Sequence, residues 1–161
     1  MAIQRLKHAL FGVLLLGTVP AVAIDSVEYI EKSIGLIEDS EYSLARTYLN
    51  PAIIDYRLSA SARSRAYYLR GYSYFAQGLY VSAGKDYHRA LEFNPGNPGA
   101  LAALGDLYFR GRGVTQDPVL AFSLFETAAE VGHPGAMLQV GFAYLEGTGI
   151  EQDLEAARAW L

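Results

Sequence analysis

Leu104-Gly105-Asp106-Leu107-Tyr108 returns 36 positions later as Val140-Gly141-Phe142-Ala143-Tyr144. The same offset carries Gly111 onto Gly147, Gly113 onto Gly149, Asp117 onto Asp153, Ala121 onto Ala157 and Ala100 onto Ala136. Self-similarity at a period of this size marks a repeat array, in which no unit buries its apolar face alone. The repeat also decides how Gly111-Arg112-Gly113 is read. A phosphate-cradling glycine loop occurs once, after a strand; this pair recurs with its whole surroundings, and nothing ahead of it reads as a strand. It is punctuation between helices.

Residues 98–110 place Leu101, Leu104, Leu107 and Tyr108 at helical spacing. Gly111 and Gly113 permit the positive φ that stops a helix and reverses the chain. Asp117 is a suitable N-cap and Pro118 a suitable first helical residue. A second helix then carries Ala121, Phe125, Ala128 and Ala129 on one stripe up to Gly132, and Pro134 opens the next unit. Small residues at 105, 121 and 128 let the paired helices approach closely.

These residues resemble a known family. The pattern over 100–132 is similar to a Sel1-like repeat, and 136–161 to a second, incomplete one. Upstream, residues 66–95 resemble a tetratricopeptide repeat through Gly71, Tyr74, Gly78, Tyr80, Ala83, Tyr87, Ala90 and Pro95. Gly71 and Gly105 are 34 residues apart, the period of that family. Arg70 departs from it, since an apolar residue is usual there; Leu69 is the substitute for packing. Residues 26–50 look like a weaker unit with Tyr42, Ala45 and Leu49 in its second helix. Asn50-Pro51 is expected to break that helix, leaving 51–60 irregular before a helix near Ser61.

The expected organisation is therefore a leader over 1–23, a degenerate helix pair and loop over 24–60, a tetratricopeptide repeat over 61–96, a Sel1-like repeat over 97–133 and an incomplete one over 134–161. What the resemblance implies is an all-α, right-handed α-solenoid of about eight helices in antiparallel pairs.

The leader rests on Arg5 and Lys7, an almost wholly apolar run from Ala9 to Val19, and Ala21-Val22-Ala23 as a cleavage signature. Cleavage after Ala23 predicts a periplasmic or secreted protein without a membrane span. The chain has 13 basic and 17 acidic residues; the first 23 hold two basic and no acidic ones, so the remainder carries −6. That balance argues against nucleic acid and anionic lipid as partners. With no cysteine, packing alone must hold the fold, and no lipid attachment is available beside the cleavage site.

Chemistry is sparse. His8, His88 and His133 are scattered with no metal-ligand spacing, so neither metal nor cofactor is expected. Glu38, Asp39 and Glu41 sit between two expected helices, where carboxylates complement a helix N-terminus. No nucleophile elbow or triad pattern occurs, and the chain reads as non-enzymatic. Of the twelve tyrosines, Tyr74, Tyr80, Tyr87, Tyr108 and Tyr144 take repeat-core positions.

The resemblance implies that the first helix of each unit lines a concave face. It assigns to that face Arg65, Tyr68, Tyr72 and Phe75, then Asp106, Phe109 and Arg110, then Phe142 with Glu146. Aromatic and arginine residues together have the composition of a binding hot spot, so the expected function is a cell-envelope scaffold docking a peptide or partner protein. The alternative is a peptidoglycan- or polysaccharide-associated binding protein or enzyme, with tyrosines stacking on sugars. Ala157, Trp160 and Leu161 belong to residues that a following repeat covers. They point to a longer array, or to self-association through this C-terminal repeat edge.

Overall fold

A computed structural model describes residues 25–161, all-helical and without strands over that range; the expected leader lies outside it. Eight helices follow one another: α1 (Ser26–Glu38), α2 (Tyr42–Ile54), α3 (Ala60–Ala76), α4 (Tyr80–Phe93), α5 (Pro98–Arg110), α6 (Pro118–Glu130), α7 (Pro134–Glu146) and α8 (Leu154–Trp160). Each packs on the next, giving four antiparallel pairs. First helices of successive units also touch, α1 on α3 and α3 on α5, while second helices of successive units make no comparable contact. First helices thus form one layer and second helices the other.

Local chemistry sets the boundaries. Asp117 and Asp153 cap α6 and α8, accepting from the Leu120 N–H and from the Glu155 and Ala156 N–H groups. Asn97 and His133 cap α5 and α7, each followed by a proline at the first helical position. Gly111 (φ 64°) and Gly147 (φ 70°) end α5 and α7 in the left-handed conformation. The second glycine of each pair seals a joint between units. A Cβ at Gly113 would lie 2.7 Å from the Tyr80 carbonyl carbon and the Val81 nitrogen, at the start of α4.

The core follows from the repeat. Ala45, Leu49, Ala83, Tyr87, Leu104, Leu107, Ala121, Ala128 and Val140 are essentially inaccessible. Each of the larger apolar side chains among them contributes roughly 2–3 kcal/mol by burial. Gly71, Gly105 and Gly141 occupy equivalent sites of α3, α5 and α7. A Cβ there would come within 3 Å of Tyr87, Phe125 and Leu161 respectively, so a hydrogen is all these positions hold.

The expected break at Asn50-Pro51 does not occur: Pro51 lies inside α2, which runs to Ile54. Ala52 and Ile53 are buried, and shifting Ala45, Leu49 and Ala52 by 38 positions gives Ala83, Tyr87 and Ala90 of α4. Packing of this stripe outweighs the hydrogen bond that proline removes. Beyond it, Asp55 organises the connection. Its carboxylate accepts from Ser26 Oγ at 2.6 Å and from the Arg57 guanidinium at 2.9 Å, while its carbonyl accepts from Arg63 at 2.6 Å. The irregular stretch shrinks to residues 55–59.

Candidate functional site

The first-helix layer brings four of the expected site residues into one groove. Tyr68, Tyr72 and Phe75 come from α3 and Asp106 from α5, around an open space of about 260 Å³. Ala102 and Ala103 keep the α5 wall low, and His133 stands at the rim. Gly99 admits the Tyr68 ring, since a Cβ there would sit 2.7 Å from Tyr68 Cζ. Tyr87 reaches the groove from α4, its ring 6.1 Å from that of Tyr68.

The remaining expected residues lie apart. Phe109 and Phe142 share a smaller recess between α5 and α7 with Phe122, Phe125 and Glu146. Arg65 pairs with Glu31 of α1 at 2.7 Å, outside the groove. Arg110 pairs with Asp106 one turn away, through Nε on Oδ1.

The electrostatics of the groove are simple. Burial pushes the Tyr68 and Tyr87 phenols up from the ordinary tyrosine range, so both stay neutral. His133 Nδ1 accepts the Ala136 N–H at 3.1 Å and so caps α7. Asp106 is the carboxylate of the site. Tyr87 is fully buried, yet its hydroxyl has no protein partner. The arrangement can hold a ligand.

Similarity to known proteins follows the repeat boundaries. The tetratricopeptide repeat model matches residues 64–97, and the Sel1 repeat model matches 98–133 and 134–161. The chain belongs to the tetratricopeptide and Sel1 repeat proteins. Among solved structures, a Sel1 repeat protein from Oxalobacter formigenes is 28% identical with a TM-score of 0.61, over 71% of this chain and 84% of that one. A protective antigen of uropathogenic Escherichia coli strains, displaying an SLR fold, has a TM-score of 0.71 at 24% identity. That alignment spans 98% of this chain and 32% of the antigen, and it bears on the fold alone. No curated protein matches the chain.

Within the tetratricopeptide repeat the departure at Arg70 has a structural cause. Arg70 reaches across to α4 and forms a two-pronged ion pair with Asp86, with Asn50 as a further acceptor. Leu69 packs instead with the core of the first unit, beside Ile30, Leu49 and Ala66. Tyr87 and His133 are groove residues that sequence reasoning places elsewhere, in the core and in a turn. Their repeat positions are legible, but that a core tyrosine borders the groove is a product of packing between two units. Repeats of these families mediate protein–protein interaction and are generally non-catalytic, and among the described residues no helix is long and apolar enough to cross a membrane.

Proposed function

We propose that this protein is an exported, periplasmic or secreted scaffold that docks a peptide or a segment of a partner protein on its first-helix layer. The observation that carries the reading is the groove in which Tyr68, Tyr72 and Phe75 of one unit face Asp106 of the next. Two units supply its walls, so a ligand seated there reads the packing of neighbouring repeats as well as individual side chains. Tyr72 and Phe142 stay 39% and 46% exposed despite their size. Rigid aromatic rings held ready on a helix layer lose little entropy on contact and make efficient anchors.

The test is a pull-down from cell-envelope extract with the native protein beside a variant carrying Tyr72→Ala, Phe75→Ala and Phe109→Ala. A protein retained by the first and lost by the second supports docking on this layer. Equal recovery by both moves the binding surface elsewhere, and the absence of any partner from the envelope extract removes the assignment to the envelope.

A further inference from the structure

We propose that the groove between α3 and α5 seats a basic side chain of the docked peptide, arginine in preference to lysine. The proposal deepens the docking reading and rests on it. Three features of the groove converge on a cation. Its walls are the rings of Tyr68, Tyr72 and Phe75, whose π-faces attract a guanidinium or ammonium group. Its anionic group is Asp106, whose Oδ1 accepts from Arg110 Nε. In the interior, the Tyr87 hydroxyl is buried with no protein partner, and a neutral phenol oxygen accepts a hydrogen bond from a guanidinium N–H.

An acidic side chain would meet Asp106 as a like charge, and an aliphatic one would leave the Tyr87 hydroxyl unpaired. A guanidinium satisfies both, because its planar fork offers several N–H groups and its faces stack on rings. Lysine provides the charge without the stacking plane. The balance of −6 over residues 24–161 favours the approach of a basic segment.

The test uses the full-length chain labelled with ¹⁵N and three peptides: Ac-Gly-Leu-Arg-Leu-Gly-NH₂ and its citrulline and glutamate counterparts. Amide shifts of Gly99, Ala102 and Ala103 report on the groove. The expected result is binding of the arginine peptide at least tenfold tighter than the citrulline peptide. Asp106→Asn should erase that preference. Tyr87→Phe, which keeps the ring and removes the unpaired hydroxyl, should weaken the arginine and citrulline peptides alike, by about threefold, because both side chains carry N–H donors. Equal affinity for all three peptides overturns the cation proposal and leaves docking on this layer standing. No groove shift with any peptide overturns it too, and docking itself is then decided separately, by the pull-down.

Discussion

Arg70 and Asp86 join α3 to α4 through two charge-assisted hydrogen bonds of 2.7 Å each, with the Asp86 side chain 7% and the Arg70 side chain 21% exposed. Here the helix pair uses an ion pair where the tetratricopeptide pattern favours an apolar side chain. Because Asp86 is buried, the pair is asymmetric: removing Arg70 strands a carboxylate, whereas removing both charges strands nothing. Arg70→Leu alone should therefore destabilise the protein by about 2–4 kcal/mol. Arg70→Leu with Asp86→Ala should recover most of that loss. Urea denaturation of the two single variants and the double variant measures the coupling, and additive losses would contradict it.

Two turns of the same kind are closed by different residues. Ser40 and Gly78 each precede the second helix of a unit by two positions, and both have positive φ, 62° and 75°. In that region a side chain with a Cβ costs about 1 kcal/mol and glycine costs none. Ser40→Gly should therefore raise stability by about 0.5–1 kcal/mol. Gly35, inside α1, is the converse: nothing lies within 4 Å of a Cβ placed there. Gly35→Ala should gain a similar amount, because it removes helix-interior glycine. Thermal melts of both variants check the signs; a lowered melting temperature for either refutes that assignment.

Reading by repeat recovers what depends on spacing: the helix pairs, the αL glycines at 111 and 147, the caps at 117 and 153, and the stripes that become the core. It fails where a long-range contact overrides a local rule. Asn50-Pro51 is a sound helix-breaking signal, yet burial of Ala52 and Ile53 carries α2 through it. Arg70 reads as a defect in a family pattern until Asp86 is seen opposite it. The groove stands between these cases. Its wall residues can be listed from helix position, but which of them converge depends on the stacking of α3 on α5. Stacking joins Tyr68, Tyr72, Phe75 and Asp106, and it leaves Arg65 on Glu31 of α1.

Asp55 gives a pH test of the N-terminal unit. The Arg57 guanidinium, and after it the Ser26 hydroxyl, donates to its carboxylate and holds it well below the usual carboxylate range. The folded-state value is depressed, so the stability it contributes is present above the unfolded value of about 3.9 and is lost as pH falls through the lower folded value. The carboxyl ¹³C resonance of Asp55 should accordingly remain that of the ionised form at pH 3, where ordinary carboxylates have largely protonated. In Arg57→Ala its midpoint should rise toward the ordinary value. A wild-type midpoint near 4 would show that these hydrogen bonds do not persist in solution.

The glycine pair that punctuates the repeats should separate into two roles. Gly111 needs its conformation (φ 64°), and the nearest neighbour to an added Cβ is Gln116 Cβ at 3.1 Å, a contact milder than those at Gly113 that a small shift of the turn relieves. Asparagine tolerates left-handed geometry better than other residues, so Gly111→Asn should cost less than about 1 kcal/mol. Gly113 has a positive φ of 72°, and an added methyl group there would stand 2.7 Å from backbone atoms of α4. Neither the turn nor the N-terminus of α4 can yield without shifting the joint between units. Gly113→Ala should therefore cost about 2–4 kcal/mol, combining conformational strain with overpacking. Because stability in such arrays passes through nearest-neighbour contacts, the loss should also uncouple residues 61–96 from 97–133. Hydrogen exchange tests this directly. Protection in α5 and α6 should fall while that in α1 and α2 persists, and a uniform fall across all eight helices would mean that Gly113 serves the turn alone.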